Sequence, residues 1–139
     1  MRTKHDQRYV RSGDYRSKYI SAHPGLKGYY MCAYCGRIVP LKKMEVDHII
    51  PINLVQRKRR YRWVIGEGDV NDVKNLTASC HKCNSKKSNK GGVWILHGQA
   101  GRVLQPIIWC VFVMFCAVYS YWFLSYAPFI PLFNAMGLI

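Results

Sequence analysis

Two Cys-x-x-Cys pairs constrain the fold of this chain more than any other feature. The first motif contains Cys32 and Cys35, and the second contains Cys80 and Cys83. The two motifs are separated by 44 residues. This spacing suits a tetrahedral Zn²⁺ held by four thiolates, with no coordination position left open. Two unrelated redox pairs are the alternative, but neither pair lies in a thioredoxin-like βαβ pattern. We therefore expect a structural zinc site, which in a small domain supplies folding free energy on the order of 10 kcal/mol.

Charge divides the chain at Arg102. All 21 Lys and Arg and all 7 Asp and Glu lie in residues 1–102, and the net charge is +14. A charge this large favours a polyanionic partner, either nucleic acid or an anionic lipid surface. Residues 1–30 are polar and basic rather than signal-like, so we expect cytosolic thiols and not disulfides.

The 37 residues from Val103 to Ile139 contain no charged side chain. Within them, residues 106–127 read PIIWCVFVMFCAVYSYWFLSYA. As a helix these 22 residues are about 33 Å long, enough to cross a hydrocarbon core of about 30 Å. A buried core helix is the alternative, but a small zinc domain has too little surface to cover it. We predict a transmembrane helix that begins at Pro106 and ends before Pro128 and Pro131.

The remaining pattern predicts an α+β fold. We expect a short helix near Tyr15–Ile20, a strand from Tyr29 into the first cysteine pair, and a second strand from Met44 to Ile50. Residues 53–74 predict a basic strand or helix and then a loop; Asn75–Ser88 begins as a strand or turn and becomes helical near His81 or Cys83. The predicted domains are a basic N-terminal extension (1–28), a central domain (29–92), a linker (93–105), a transmembrane helix (106–127) and an apolar tail (128–139).

Short motifs follow one another between and around the cysteines. Asp47-His48-Ile49-Ile50-Pro51 lies between the pairs, Asn75-Leu76 precedes the second pair, and Asn84-Ser85-Lys86-Lys87 follows it. This order over Tyr29–Lys90 resembles the HNH endonuclease family. The resemblance implies a ββα-metal fold, in which one divalent cation lies between a β-hairpin and a helix.

The same resemblance implies a role for four residues. His48 would be the general base that takes a proton from the attacking water. Asp47 and Asn84 would bind the catalytic cation, for which an oxygen-rich site favours Mg²⁺ or Mn²⁺. Asn75 would orient the loop that carries the histidine. His81 lies between the second pair of cysteines, and we interpret it as a phosphate-facing or solvent residue, with replacement of a metal ligand as the alternative.

Basic residues near these motifs are candidates for neutralising a DNA backbone. The predicted nucleic-acid-binding set is Arg57, Lys58, Arg59, Arg60, Arg62, Lys82, Lys86, Lys87 and Lys90. Little in the chain resembles a base-reading module, so we expect weak sequence preference.

The leading hypothesis is a single-pass membrane protein whose cytoplasmic domain is a metal-dependent DNA endonuclease. Membrane lipid would contact residues 106–139, and the positive-inside rule places the basic domain in the cytoplasm. Cleavage of both strands would require two active sites, which makes a homodimer a candidate assembly. The alternatives are a catalytically inactive zinc module that tethers nucleic acid to the membrane, and a membrane protein whose basic face binds anionic lipid.

Overall fold

A computed structural model describes residues 9–66 and 68–126 of the chain. The predicted apolar tail (128–139), the last residue of the predicted transmembrane helix and the first eight residues of the N-terminal extension lie outside the described residues. The chain divides into two compact units, Met1–Pro106 and Ile107–Ile139. Each unit is described separately below.

The first unit begins with a short helix and a hairpin. Helix α1 (Tyr15–Ala22) confirms the predicted N-terminal helix, and its buried Tyr19 accepts a hydrogen bond from the backbone N–H of Ala78 at 3.1 Å. Strands β1 (Tyr29–Met31) and β2 (Ile38–Pro40) pair antiparallel. The turn between them carries the first cysteine pair and closes at Gly36, whose φ of 70° suits glycine.

A second hairpin and the helix after it form a ββα arrangement. Strand β3 (Met44–His48) pairs antiparallel with β4 (Leu76–Cys80), and Val46 lies opposite Ala78. Helix α4 (His81–Lys87) follows β4 directly, as predicted. Both strands are largely buried, so apolar side chains from each strand enter one core with α1 and β1. The end of β3 lies opposite the start of β4, and Lys87 at the end of α4 contacts Asp47 near the end of β3.

The basic region between β3 and β4 is helical. Helices α2 (Ile52–Arg57) and α3 (Arg59–Ile65) occupy it, and a 3-10 turn at Val73–Asn75 leads into β4. Val55 and Val70 are fully buried in a second apolar cluster with Tyr9 and Ile50. This cluster fixes the loop that precedes β4 against the residues that follow β3.

The last helix, α5 (Val93–Tyr126), begins 13 residues before the predicted start. Residues 93–105, predicted as a linker before the helix, are themselves helical, and two glycines there allow close packing. A Cβ at Gly101 would lie 1.8 Å from the carbonyl oxygen of Ala33, and one at Gly98 would lie 2.9 Å from Tyr34 Oη. Pro106 lies inside the helix, where it removes one backbone hydrogen bond.

The second unit consists, in its described part, of the C-terminal portion of α5. Side chains of residues 106–124 are exposed. By length and composition, Val93–Ser125 is the helix among the described residues that is long and apolar enough to cross a membrane.

Candidate active site and four-cysteine site

The four cysteines of the two pairs converge on one point. Cys32 follows β1, Cys80 ends β4 and Cys83 lies in the first turn of α4. The sulfur atoms all lie within 4.8 Å of one another, and those of Cys35 and Cys80 are 3.9 Å apart. A tetrahedral zinc site with Zn–S bonds of about 2.3 Å needs sulfurs about 3.8 Å apart. The predicted four-cysteine cluster is confirmed, and its dimensions fit zinc.

The electrostatics of this cluster also favour a cation. Burial raises the pKa of the Cys32 thiol. Burial and a hydrogen bond with Cys80 raise the pKa of the Cys83 thiol. Four thiolates at these distances would repel one another strongly unless a cation lay between them. Zinc would replace the thiol protons and join the first hairpin to the ββα arrangement.

A cleft of about 390 Å³ opens beside the ββα arrangement. Asp47 and His48 enter it from the end of β3, and Asn84 enters it from α4. Glu45 also lines the cleft, since side chains two apart on a strand share a face. The structure thus brings together three of the four residues singled out for catalysis and adds a second carboxylate.

Asp47 is held by two buried partners. The ammonium of Lys87 lies 2.8 Å from Oδ2 and 3.0 Å from Oδ1, and it also donates to the carbonyl oxygen of His48 at 2.8 Å. Tyr34 donates its hydroxyl to Oδ2 at 2.5 Å. Burial and the charge of Asp47 raise the pKa of Tyr34, so the hydroxyl remains a donor. The carboxylate orientation is therefore fixed from the protein side.

Glu45 contacts two side chains of α4. Its carboxylate accepts a hydrogen bond from Asn84 Nδ2 at 2.6 Å and lies 2.7 Å from His81 Nδ1. Burial acts to raise the pKa of Glu45, but these two contacts outweigh it and lower the pKa. Because Asn84 bonds Glu45 through nitrogen, its Oδ1 is the atom left for a cation. Asp47, Glu45 and Asn84 thus form an oxygen donor set of the kind that hard divalent cations prefer.

His48 is almost completely buried at the inner end of the cleft. Its ring lies 5.1 Å from that of Tyr15, and Nε2 is 3.2 Å from Oδ1 of Asn71. Burial lowers the pKa of His48 below its ordinary value. The imidazole is therefore neutral at neutral pH, the state in which it accepts a proton.

Comparison with known proteins agrees with this geometry. The model of the HNH endonuclease family matches residues 32–90. This match confirms the resemblance to the HNH endonuclease family over that segment. The HNH segment is also similar to the CRISPR-associated endonuclease Cas9 of Corynebacterium diphtheriae, with 38% identity over 58 residues. That match covers 42% of this chain and 4% of the Cas9 protein, so the chain spans a small fraction of its relative. No solved structure matches the chain.

Asn75 ties together the backbone around the HNH cleft. Its Oδ1 accepts from the N–H of Ile50 at 2.9 Å, and its Nδ2 donates to the carbonyl oxygens of Val70 and Ile50. The carbonyl of Asn75 accepts from the N–H of Ile49 at 2.7 Å. These bonds hold the segment directly after His48 and lie away from the cleft.

Two of the basic residues expected to contact nucleic acid are engaged inside the HNH unit. Lys87 is fully buried against Asp47, and burial lowers its pKa although Asp47 opposes the shift. Arg62 donates to the carbonyl oxygens of Val55 and Gln56 at the end of α2. The prediction that Lys87 contacts nucleic acid is corrected, because its ammonium is buried and sequence position does not show which cations fold inward. Arg62 is partly exposed, so its contact with nucleic acid stays a prediction. The others are exposed: Arg57, Lys58, Arg59, Arg60, Lys82, Lys86 and Lys90.

Three residues of the HNH site have no role in the sequence analysis. Glu45 was within reach of prediction, since strand alternation places it on the face of Asp47. Tyr34 and Asn71 reach Asp47 and His48 from positions 13 and 23 residues away. No local pattern signals such contacts, because they arise only when the hairpins pack together.

Proposed function

We propose that this chain is a membrane-tethered, cytoplasm-facing HNH endonuclease that hydrolyses phosphodiester bonds in DNA. The observation that carries the proposal is the convergence of His48, Asp47 and Asn84 on one cleft within the HNH segment. A neutral buried base beside an oxygen donor set matches the chemistry of metal-assisted phosphodiester hydrolysis.

The residues divide the work of the reaction. His48 takes the proton from the attacking water, and Asn75 holds the segment after it in place. Asp47 and Asn84 hold a Mg²⁺ or Mn²⁺ ion. When bound, the ion supplies Lewis-acid stabilisation of the charge that develops on the phosphate and the departing 3′ oxygen.

Exposed cations of the HNH segment hold the DNA backbone. Lys82 and Lys86 lie on α4, and Arg57, Lys58 and Arg59 lie at the junction of α2 and α3. Phosphate contacts supply affinity without sequence information, so cleavage has weak sequence preference.

Zinc at the four cysteines acts structurally, since four thiolates leave no position for substrate.

The apolar C-terminal segment anchors the nuclease. Residues 106–127 span the bilayer, residues 128–139 lie at or beyond the far interface, and lipid contacts both. The absence of charge after Arg102 and the basic sequence before it support a cytoplasmic position for the nuclease domain. Double-strand cleavage requires two such domains, so a homodimer is the assembly that would produce it.

The test of the nuclease proposal uses the full chain in detergent, loaded with zinc. With Mg²⁺ or Mn²⁺ it should nick or linearise supercoiled plasmid, and His48→Ala should lower the rate by about 10² to 10⁴. Zinc content and DNA binding of the variant serve as controls and should remain at wild-type levels. Equal cleavage by the two proteins would contradict the assignment of His48.

A catalytically inactive module that tethers nucleic acid to the membrane is the second candidate. The ion pair between Asp47 and buried Lys87 favours it, because the ammonium occupies the carboxylate that a catalytic cation needs. This candidate predicts that the zinc-loaded chain binds plasmid, leaves it supercoiled at every Mg²⁺ concentration, and is unaffected by His48→Ala.

A further inference from the structure

The buried side chain of Asn71 contacts a ring nitrogen of His48. It lies in the loop before the 3-10 turn Val73–Asn75, it is 2% exposed, and its Oδ1 is 3.2 Å from His48 Nε2. Neither the motif order nor the charge pattern singles it out. Its position gives it direct control over which nitrogen of His48 carries the proton.

The orientation of the Asn71 amide follows from its other partners. Nδ2 donates to the carbonyl oxygen of Val10 and to Oδ1 of Asp69, both at 2.7 Å. Oδ1 accepts from the backbone N–H of Ser12 at 3.1 Å. A flipped amide would place oxygen against two acceptors and nitrogen against a donor, so the network excludes it. The atom that faces His48 is therefore an oxygen, which only accepts.

The tautomer of His48 follows from this orientation. An acceptor at Nε2 requires Nε2 to carry the proton, and a neutral imidazole has only one N–H. Nδ1 then holds the free lone pair. We propose that Asn71 is a positioning residue that fixes His48 as the Nε2–H tautomer, so that Nδ1 is the nitrogen that takes the proton from water. This inference rests on the proposed nuclease function, in which His48 is the general base.

The N-terminal segment takes part in the same arrangement. The carbonyl oxygen of Val10 accepts from Nδ2 of Asn71, and the backbone N–H of Ser12 donates to its Oδ1. The ring of Tyr15 lies 5.1 Å from that of His48. Gln56 Nε2 donates to the carbonyl oxygen of Tyr9 at 2.7 Å, which fixes the start of this segment on α2. Residues 9–15 therefore complete the active site, although the sequence analysis assigned them to a separate extension.

Nitrogen-15 NMR of the His48 imidazole tests the proposal directly. The full chain is zinc-loaded in detergent at mildly alkaline pH without added Mg²⁺, and the His48 signals are identified by their loss in His48→Gln. The wild-type spectrum should show a protonated Nε2 and an unprotonated Nδ1. In Asn71→Leu, which has similar volume but no acceptor, the signals should move towards a mixture of tautomers.

Asp72→Ala provides the matched control. Asp72 caps the same loop by accepting from the N–H of Lys74 at 2.8 Å, so its loss perturbs the loop and spares the contact with His48. The control should keep the wild-type tautomer. Plasmid cleavage should fall by roughly 10² to 10⁴ in kcat for Asn71→Leu, with KM within about twofold, because a base in the wrong tautomer fails in the chemical step.

A wild-type spectrum with the proton on Nδ1 would overturn the proposal, even if no Asn71 variant folds. An Asn71→Leu protein with an unchanged tautomer would also overturn it. The spectrum does not depend on cleavage, so its failure is distinct from that of the nuclease function. A chain that cuts no DNA but shows the expected spectra contradicts the nuclease function, and the spectra still support the role of Asn71 in setting the tautomer.

Discussion

At the scale of single residues, the position of Asp47 in the cleft depends on a buried ion pair with Lys87. Lys87 is fully buried, and its ammonium contacts both oxygens of Asp47 and the carbonyl of His48. The ion pair orients the carboxylate, but breaking it leaves a buried charge without compensation. A bound cation at Asp47 would offset part of that loss. If Asp47 binds the proposed cation, Lys87 links the stability of the fold to occupancy of that site.

We expect Lys87→Met to lower the free energy of unfolding by about 3 kcal/mol, because Asp47 would lose its buried partner. Lys86→Met is the matched control: Lys86 is exposed on the same helix, so its replacement should change stability by less than about 0.5 kcal/mol. Chemical denaturation of the full chain in detergent measures both. Added Mg²⁺ should restore part of the stability of Lys87→Met only. Similar stabilities for the two variants would show that the ion pair does not support the fold.

At the scale of elements, the sequence predicted the parts that carry motifs and missed those defined by packing. β4 and α4 lie where the second cysteine pair and Asn84 indicated, because the zinc ligands and the donor atoms must converge there. The early start of α5 was missed, because the prediction followed the apolar run and placed the start of the helix at Pro106. Gly98 and Gly101 lie in the part of the helix that was not predicted. In the fold they allow the helix to pack against Ala33 and Tyr34.

Gly101→Ala tests whether that packing requires glycine. In an exposed helix the change would stabilise by up to about 1 kcal/mol. Here the added Cβ would meet the backbone of Ala33 at 1.8 Å, and we expect destabilisation by about 1–3 kcal/mol or more. Hydrogen exchange of residues 93–102 should rise in this variant. Gly13→Ala, where a Cβ meets nothing within 4 Å, is the control for a glycine replacement that adds no contact. A stabilised Gly101→Ala would mean that the helix does not pack on Ala33.

At the scale of the whole molecule, two units depend on different sources of stability. The unit that contains the HNH segment carries all the charged side chains of the sequence, and its four cysteines lie close enough to hold a metal ion between its hairpins. The described part of the second unit is an apolar helix with exposed side chains and no ionisable group other than tyrosine and cysteine. Composition alone predicted this division, because charge stops at Arg102. It did not predict that helix α5 begins at Val93.

Zinc removal should therefore unfold one unit and spare the other. Chelation, or Cys32→Ser, should remove folding free energy on the order of 10 kcal/mol and expose the amides of β3 and β4 to exchange. Amides of residues 107–125 should stay protected in detergent, because that helix needs no metal. Cys110→Ser, in the apolar helix, should leave zinc content and exchange unchanged. Protection of β3 and β4 in the metal-free protein would show that the site is dispensable for folding.

Cleavage of added plasmid by membrane vesicles tests the central claim most directly. Inverted vesicles that contain the full chain expose the cytoplasmic face, and right-side-out vesicles hide it. With Mg²⁺ outside, inverted vesicles should nick supercoiled plasmid, while right-side-out vesicles and inverted vesicles carrying His48→Ala should leave it intact. If inverted vesicles with the zinc-loaded wild-type chain bind plasmid but never cut it, the chain is a tether and not a nuclease.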